Sequence, residues 1–134
     1  MYIKNILFIP LIFSSIAFAD YTENQNKKFL DESVKMMNYA FPMEMNGMRF
    51  GKVENIENKG ILMPLTIMED ISEVESAFME EFMKKMMSGM ALEACNDPTM
   101  KDLFKRDLMI IYNFKDLDGS MDFKLTVDNT YCSK

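Results

Sequence analysis

The sequence predicts an α+β domain: a four-stranded antiparallel sheet with helices packed on one face, in the order α-β-β-α-α-β-β, closed by one disulfide. Three observations lead there. Residues 70–95 carry apolar side chains at helical spacing. Residues 48–68 and 108–127 read as two pairs of strands about short turns, the second with clear alternation of apolar and polar positions. The chain's two cysteines, Cys95 and Cys132, fall at the end of the long helix and just past the last strand. At 134 residues the chain holds one domain and not two.

Residues 1–19 read as an export signal. Lys4 gives a short basic start, Ile6 to Phe13 an apolar run, and Ala17-Phe18-Ala19 a cleavage match before Asp20. That run is shorter than the about 20 residues a bilayer span needs, which disfavours the competing reading of an uncleaved anchor. No cysteine lies near position 20 to carry a lipid. The expectation is a single exported domain over residues 20–134, periplasmic or secreted after cleavage near Ala19 and free of the membrane thereafter. Loss of Lys4, the one charged residue of the segment, moves the formal net charge from −6 to −7. So acidic a surface repels phosphate backbones and anionic headgroups, which makes nucleic acid and membrane surfaces poor partners.

The first helix is expected over Thr22 to Ala40. Phe29, Leu30, Val34, Met36, Met37 and Ala40 recur at helical spacing, and Pro42 disfavours helical geometry at Phe41. Two strands follow, Met48 to Ile56 and Ile61 to Met68, joined through Asn58-Lys59-Gly60. Alternation slips after Phe50, so Gly51 marks a bulge. Pro64 cannot donate to a neighbouring strand, which puts its strand at a sheet edge.

The long helix, Asp70 to Cys95, organises the rest. Ser72 and Glu75 have capping-box spacing, and Glu80–Lys84 and Glu81–Lys85 are favourably ordered i,i+4 pairs. Phe78, Phe82 and Met86 form one flank of its broad apolar arc; Met79, Met83, Met87 and Met90 form the other. The Phe flank is expected to face the sheet, and the Met flank a second helix or a partner. Gly89 weakens the helix by roughly 1 kcal/mol relative to Ala and suggests a close contact or slight kink. Asp97 as N-cap and Pro98 at N1 start a short helix to about Arg106. Leu108, Ile110, Tyr112 and Phe114 then alternate, as do Met121, Phe123, Leu125 and Val127, with a turn over Asp116 to Gly119. In an oxidising compartment Cys95 and Cys132 pair, closing a loop worth about 4 kcal/mol on a chain-entropy estimate.

Cys95, Pro98, Tyr112, Phe114, Asp116, Asp118, Gly119 and Cys132 form a C-x-x-P, Y-x-F-x-D-x-D-G and closing-cysteine pattern. It resembles small exported bacterial proteins of unassigned function and covers the last third of the chain. The resemblance supports the disulfide and the hairpin and implies no chemistry.

Candidate chemistry is sparse. Oxygens recur at every second position from Asp116 to Asp122, but an EF-hand counted from Asp116 would need glycine where Met121 stands and Glu where Val127 stands. Turn chemistry explains the run better. The 16 methionines admit three readings. Core filler suits each residue singly; an adaptable contact surface suits the width of the arc; a Cu(I) site through Met79, Met83, Met86 and Met90 would use soft thioethers without help from histidine. The chain has no histidine, no G-x-S-x-G elbow and no phosphate-binding loop. Glu44, Glu54 and Glu57 lie near the first hairpin without diagnostic spacing, so an enzyme built on a carboxylate pair is disfavoured. The sequence therefore points to an exported, non-catalytic protein with no cofactor and no metal, acting through a protein partner or self-association. Met79, Met83, Met87 and Met90 are the expected contact, and the strand containing Pro64 is the next candidate. An inhibitor, an immunity protein, an assembly factor and a homodimer all remain open, with a periplasmic methionine-rich Cu(I) or redox-buffering protein as the alternative.

Overall fold

The computed structural model describes residues 21–71 and 73–133. The export signal, its cleavage site and the Ser72 half of the expected capping box lie outside the described residues. Among the described residues the architecture is α+β, a mixed six-stranded sheet with four helices.

Helix α1 spans Glu23–Met37 and opens with a capping box: Gln25 N–H donates to Thr22 Oγ1 at 3.1 Å, and Thr22 N–H to Gln25 Oε1 at 2.8 Å. It ends at Met37, three residues short of Ala40, and buries Leu30 completely. A hairpin absent from the expected order follows, β1 (Met43–Met45) and β2 (Met48–Phe50). Its turn is Asn46-Gly47, both with positive φ (54° and 75°), the dipeptide that most strongly favours a tight hairpin.

Strand β3 (Glu54–Ile56) continues the line of β2 after an interruption at residues 51–53, where the bulge was expected at Gly51. Both pair antiparallel with β4 (Gly60–Ile67). On its other side β4 pairs in parallel with β5 (Met109–Asp116), and β5 pairs antiparallel with β6 (Asp122–Val127). Two expectations are thereby corrected. The sheet has six strands and is mixed, because the helical connection between β4 and β5 is long enough to return the chain in the same direction. And Pro64 lies in a central strand. Its carbonyl accepts the Gly51 N–H at 2.9 Å, and a residue's N–H points to the same side of a strand as its C=O. The proline's missing donor therefore faces Gly51, directly across in the antiparallel register, so this pair keeps one of its two bonds and the ladder breaks there, between β2 and β3.

Helix α2 spans Ser76–Asn96, starting six residues later than expected, and its N-cap Glu75 makes no side-chain capping bond. Its rotation also corrects the expectation. Phe78 and Phe82 are 64% and 49% exposed, whereas Met83, Ala91 and Ala94 are buried. The helix is apolar around about half its circumference, so periodicity cannot choose its inner face; the small Ala91 and Ala94 let it approach the core closely. Helix α3 (Pro98–Lys105) starts where expected, with the Asp97 side chain accepting the Thr99 N–H at 2.8 Å. Helix α4 (Asn129–Cys132) ends the fold, and the Cys95–Cys132 disulfide ties it to the C-terminal end of α2. Ile61, Met63, Leu65 and Ile67 of β4 and Ile110, Tyr112 and Phe114 of β5 share one buried face in register.

Candidate functional site

The parallel pairing sets Ile67 opposite Asp116, so β4 and β5 end side by side. From there the chain diverges: β4 runs through residues 68–75 into α2, and β5 turns at Asp116–Met121 into β6. Between these exits, beside the first half of α2, lies a groove of about 1040 Å³. Ile71, Met79, Met83, Met87 and Met121 line its inner part, Met83 buried and the others half-buried. Val74, Leu117 and Phe123 border it as exposed apolar side chains, Leu117 at 59%. Unbranched thioethers give such a wall the ability to repack around an irregular apolar guest.

Charge at the groove is one-sided. Among the described residues, Glu69, Asp70, Glu80, Asp116 and Asp118 line it against a single lysine, Lys84, which pairs with Glu80 at 3.2 Å. The turn is tied down by its own carboxylates. Asp116 accepts the Met121 N–H at 3.0 Å and the Ser120 hydroxyl at 2.7 Å, and these bonds hold its carboxyl below the usual range. Asp118 accepts the Ser120 N–H at 2.9 Å. Oxygens that a calcium loop would turn toward an ion are engaged in fixing the turn. Among the described residues no group of three His, Cys, Asp or Glu side chains is placed to hold a metal ion.

Of the methionines singled out in the sequence, Met79, Met83 and Met87 come together in the groove, while Met90, half-buried against the core, does not line it. Cys95 and Cys132 are bonded. Glu44, Glu54 and Glu57 are exposed and outside the groove; Glu44 pairs with Arg49 at 3.0 Å and Glu57 with Lys59 at 3.9 Å. Sequence reasoning missed Leu117, Met121 and Phe123. One signal was available for Leu117: a large aliphatic side chain inside an Asp-rich turn has no local reason to be there.

No helix among the described residues is long and apolar enough to cross a membrane. No protein-family model and no curated protein sequence matches the chain. Two solved structures share its architecture. One is EpsS, the pilotin of the type 2 secretion system of Vibrio vulnificus, with a TM-score of 0.66 and 12% identity over 82% of this chain and 94% of that one. The other is a Pseudomonas aeruginosa protein, PA3611, classed as secreted, with a TM-score of 0.69 and 15% identity over 85% and 98% of the two chains. At these identities the likeness is one of fold, an α+β frame that this chain shares with a component of a secretion machine.

Proposed function

We propose that this is an exported, non-catalytic protein that holds an apolar, positively flanked segment of another exported protein in the groove beside α2. The observation that carries the reading is the pairing of a thioether-lined trough with an almost uniformly acidic border. Apolar area removed from water supplies about 25 cal/mol per Å², and the carboxylates select a guest with Lys or Arg beside its apolar stripe. A helix suits this trough better than an added strand: its backbone bonds are internal, and β6 contributes only Phe123 to the lining. With no histidine, the chain lacks the side chain that most often moves protons near neutral pH. The fold shared with a pilotin and with a protein classed as secreted supports a role in the cell envelope, with assembly of an exported complex the best-supported form.

The test uses a designed amphipathic helical peptide with a Leu stripe and Lys flanks, and a counterpart with Glu at the flanks. The Lys peptide is expected to shift the methyl resonances of Met79, Met87 and Met121 and to lose affinity on Leu117→Lys. In producing cells, a photo-crosslinker at Leu117 is expected to capture one discrete exported protein, and one at Glu57, beyond the opposite end of β4, none. Equal binding of both peptides, or of neither, defeats the proposal.

A further inference from the structure

The outward side of α2 carries a second apolar surface, separate from the groove. Phe78, Phe82 and Leu92 are 64%, 49% and 65% exposed, and they fall in one stripe with Lys85, Gly89 and Asn96. The spacing, alternately four and three residues, is that of a coiled-coil seam. Three details of the stripe have no explanation inside the molecule. Gly89 sits in mid-helix although a Cβ there would meet nothing within 4 Å. Glu81 and Lys85, ideally spaced for an i,i+4 pair, form no salt bridge, while Glu80 and Lys84 on the groove side do. And two phenylalanines one turn apart are left in solvent.

From these we infer that the outward face of α2 is the docking surface for a second copy of this chain, the two α2 helices packing antiparallel about a dyad near Lys85. An isologous contact must be self-complementary; Lys85, nearest the dyad, faces the partner's Lys85, and the neighbouring Glu81 carboxylates offset that like charge. Antiparallel pairing about that point sets Phe78 against the partner's Leu92 and Phe82 against the partner's Gly89, a ring over the place where a side chain is missing. The dyad also brings the same flank of both helices together. Glu81 of each copy then lies about 6 Å along the axis from Lys85 of the other, within reach of a lysine side chain, and two equivalent ion pairs form. Phe78 to Leu92 spans about 21 Å, a seam of four turns.

Sedimentation of protein exported and purified from the whole sequence tests this. A concentration-dependent monomer–dimer equilibrium is expected. Phe82→Glu should weaken it about a hundredfold without altering the circular dichroism spectrum. Glu81→Lys should weaken it about tenfold, and adding Lys85→Glu should restore it. Gly89→Leu should weaken the dimer while leaving the fold intact, because the new side chain enters open space. Leu117→Lys, which disables the groove, should leave dimerisation unchanged, so this surface and the groove are judged separately. A chain that is monomeric up to roughly 0.5 mM overturns the inference. So does a dimer indifferent to Phe82→Glu, a double charge swap that fails to restore association, or a dimer lost on Leu117→Lys.

Discussion

The side chain of Asn38 binds both backbone groups of Val53: its Oδ1 accepts the Val53 N–H at 2.8 Å, and its Nδ2 donates to the Val53 carbonyl at 3.0 Å. Val53 lies in the interruption between β2 and β3, so the amide at the end of α1 takes the place of a missing strand neighbour. Asn38→Ala leaves a donor and an acceptor of a buried residue unpaired and should destabilise the fold by about 2–3 kcal/mol, read as a lower denaturant midpoint at unchanged m. Asn38→Asp keeps the acceptor but loses the donor, and should fall between the two.

Gly60 begins β4 against β5, where a Cβ would collide with the Met109 carbonyl oxygen. Main chain cannot yield as a flexible side chain would. Gly60→Ala should therefore cost about 2 kcal/mol or more in thermal or chemical unfolding, whereas Gly89→Ala, in open space within a helix, should stabilise the monomer by up to about 1 kcal/mol.

The phenol of Tyr112, 6% exposed, is pushed up to about 12 by burial first and by the charges of Glu93 and Asp97 second. The folded chain thus holds this proton more tightly than the unfolded chain, whose phenol titrates near 10. The resulting stability is present in full below pH 10, falls as pH rises from 10 to 12, and levels off above, a loss of roughly 2–3 kcal/mol. Urea titrations across that window should show the decline, and Tyr112→Phe should remove most of it.

The disulfide joins residues 37 apart and fastens α4 to α2. Replacing both Cys95 and Cys132 by Ala should lower stability by about 3–4 kcal/mol, seen in the unfolding midpoint of the oxidised wild type against the variant.

Met79, Met83, Met87 and Met121 border one groove, and among the described residues no group of three His, Cys, Asp or Glu side chains is placed to hold a metal ion. Cu(I) titration against a competing chelator under mild reduction should show no tighter binding to the wild type than to a Met79→Leu/Met87→Leu variant. Both proteins should bind the Lys-flanked peptide to within a few fold, since Leu conserves most of the apolar volume.

Local chemistry made much of this chain legible in one dimension. The alternation of Ile110, Tyr112 and Phe114 marked β5, Asp97-Pro98 marked the start of α3, and the two cysteines marked a bridge; each signal acts within a few residues and is seen in the fold. Asn46-Gly47 was equally local and was passed over, though it makes the β1–β2 turn. Tertiary structure alone decided the rest. An alternating strand fits a parallel or an antiparallel neighbour, so the β4–β5 direction was set by the helical crossover, and with it the position of Pro64 opposite the break between β2 and β3 rather than at an edge. A helix apolar over half its surface has no single preferred inner face; packing of Ala91 and Ala94 turned Met83 inward and left Phe78 and Phe82 in solvent. The groove exists because two strand ends and their diverging exits meet in space, and no window of sequence contains both.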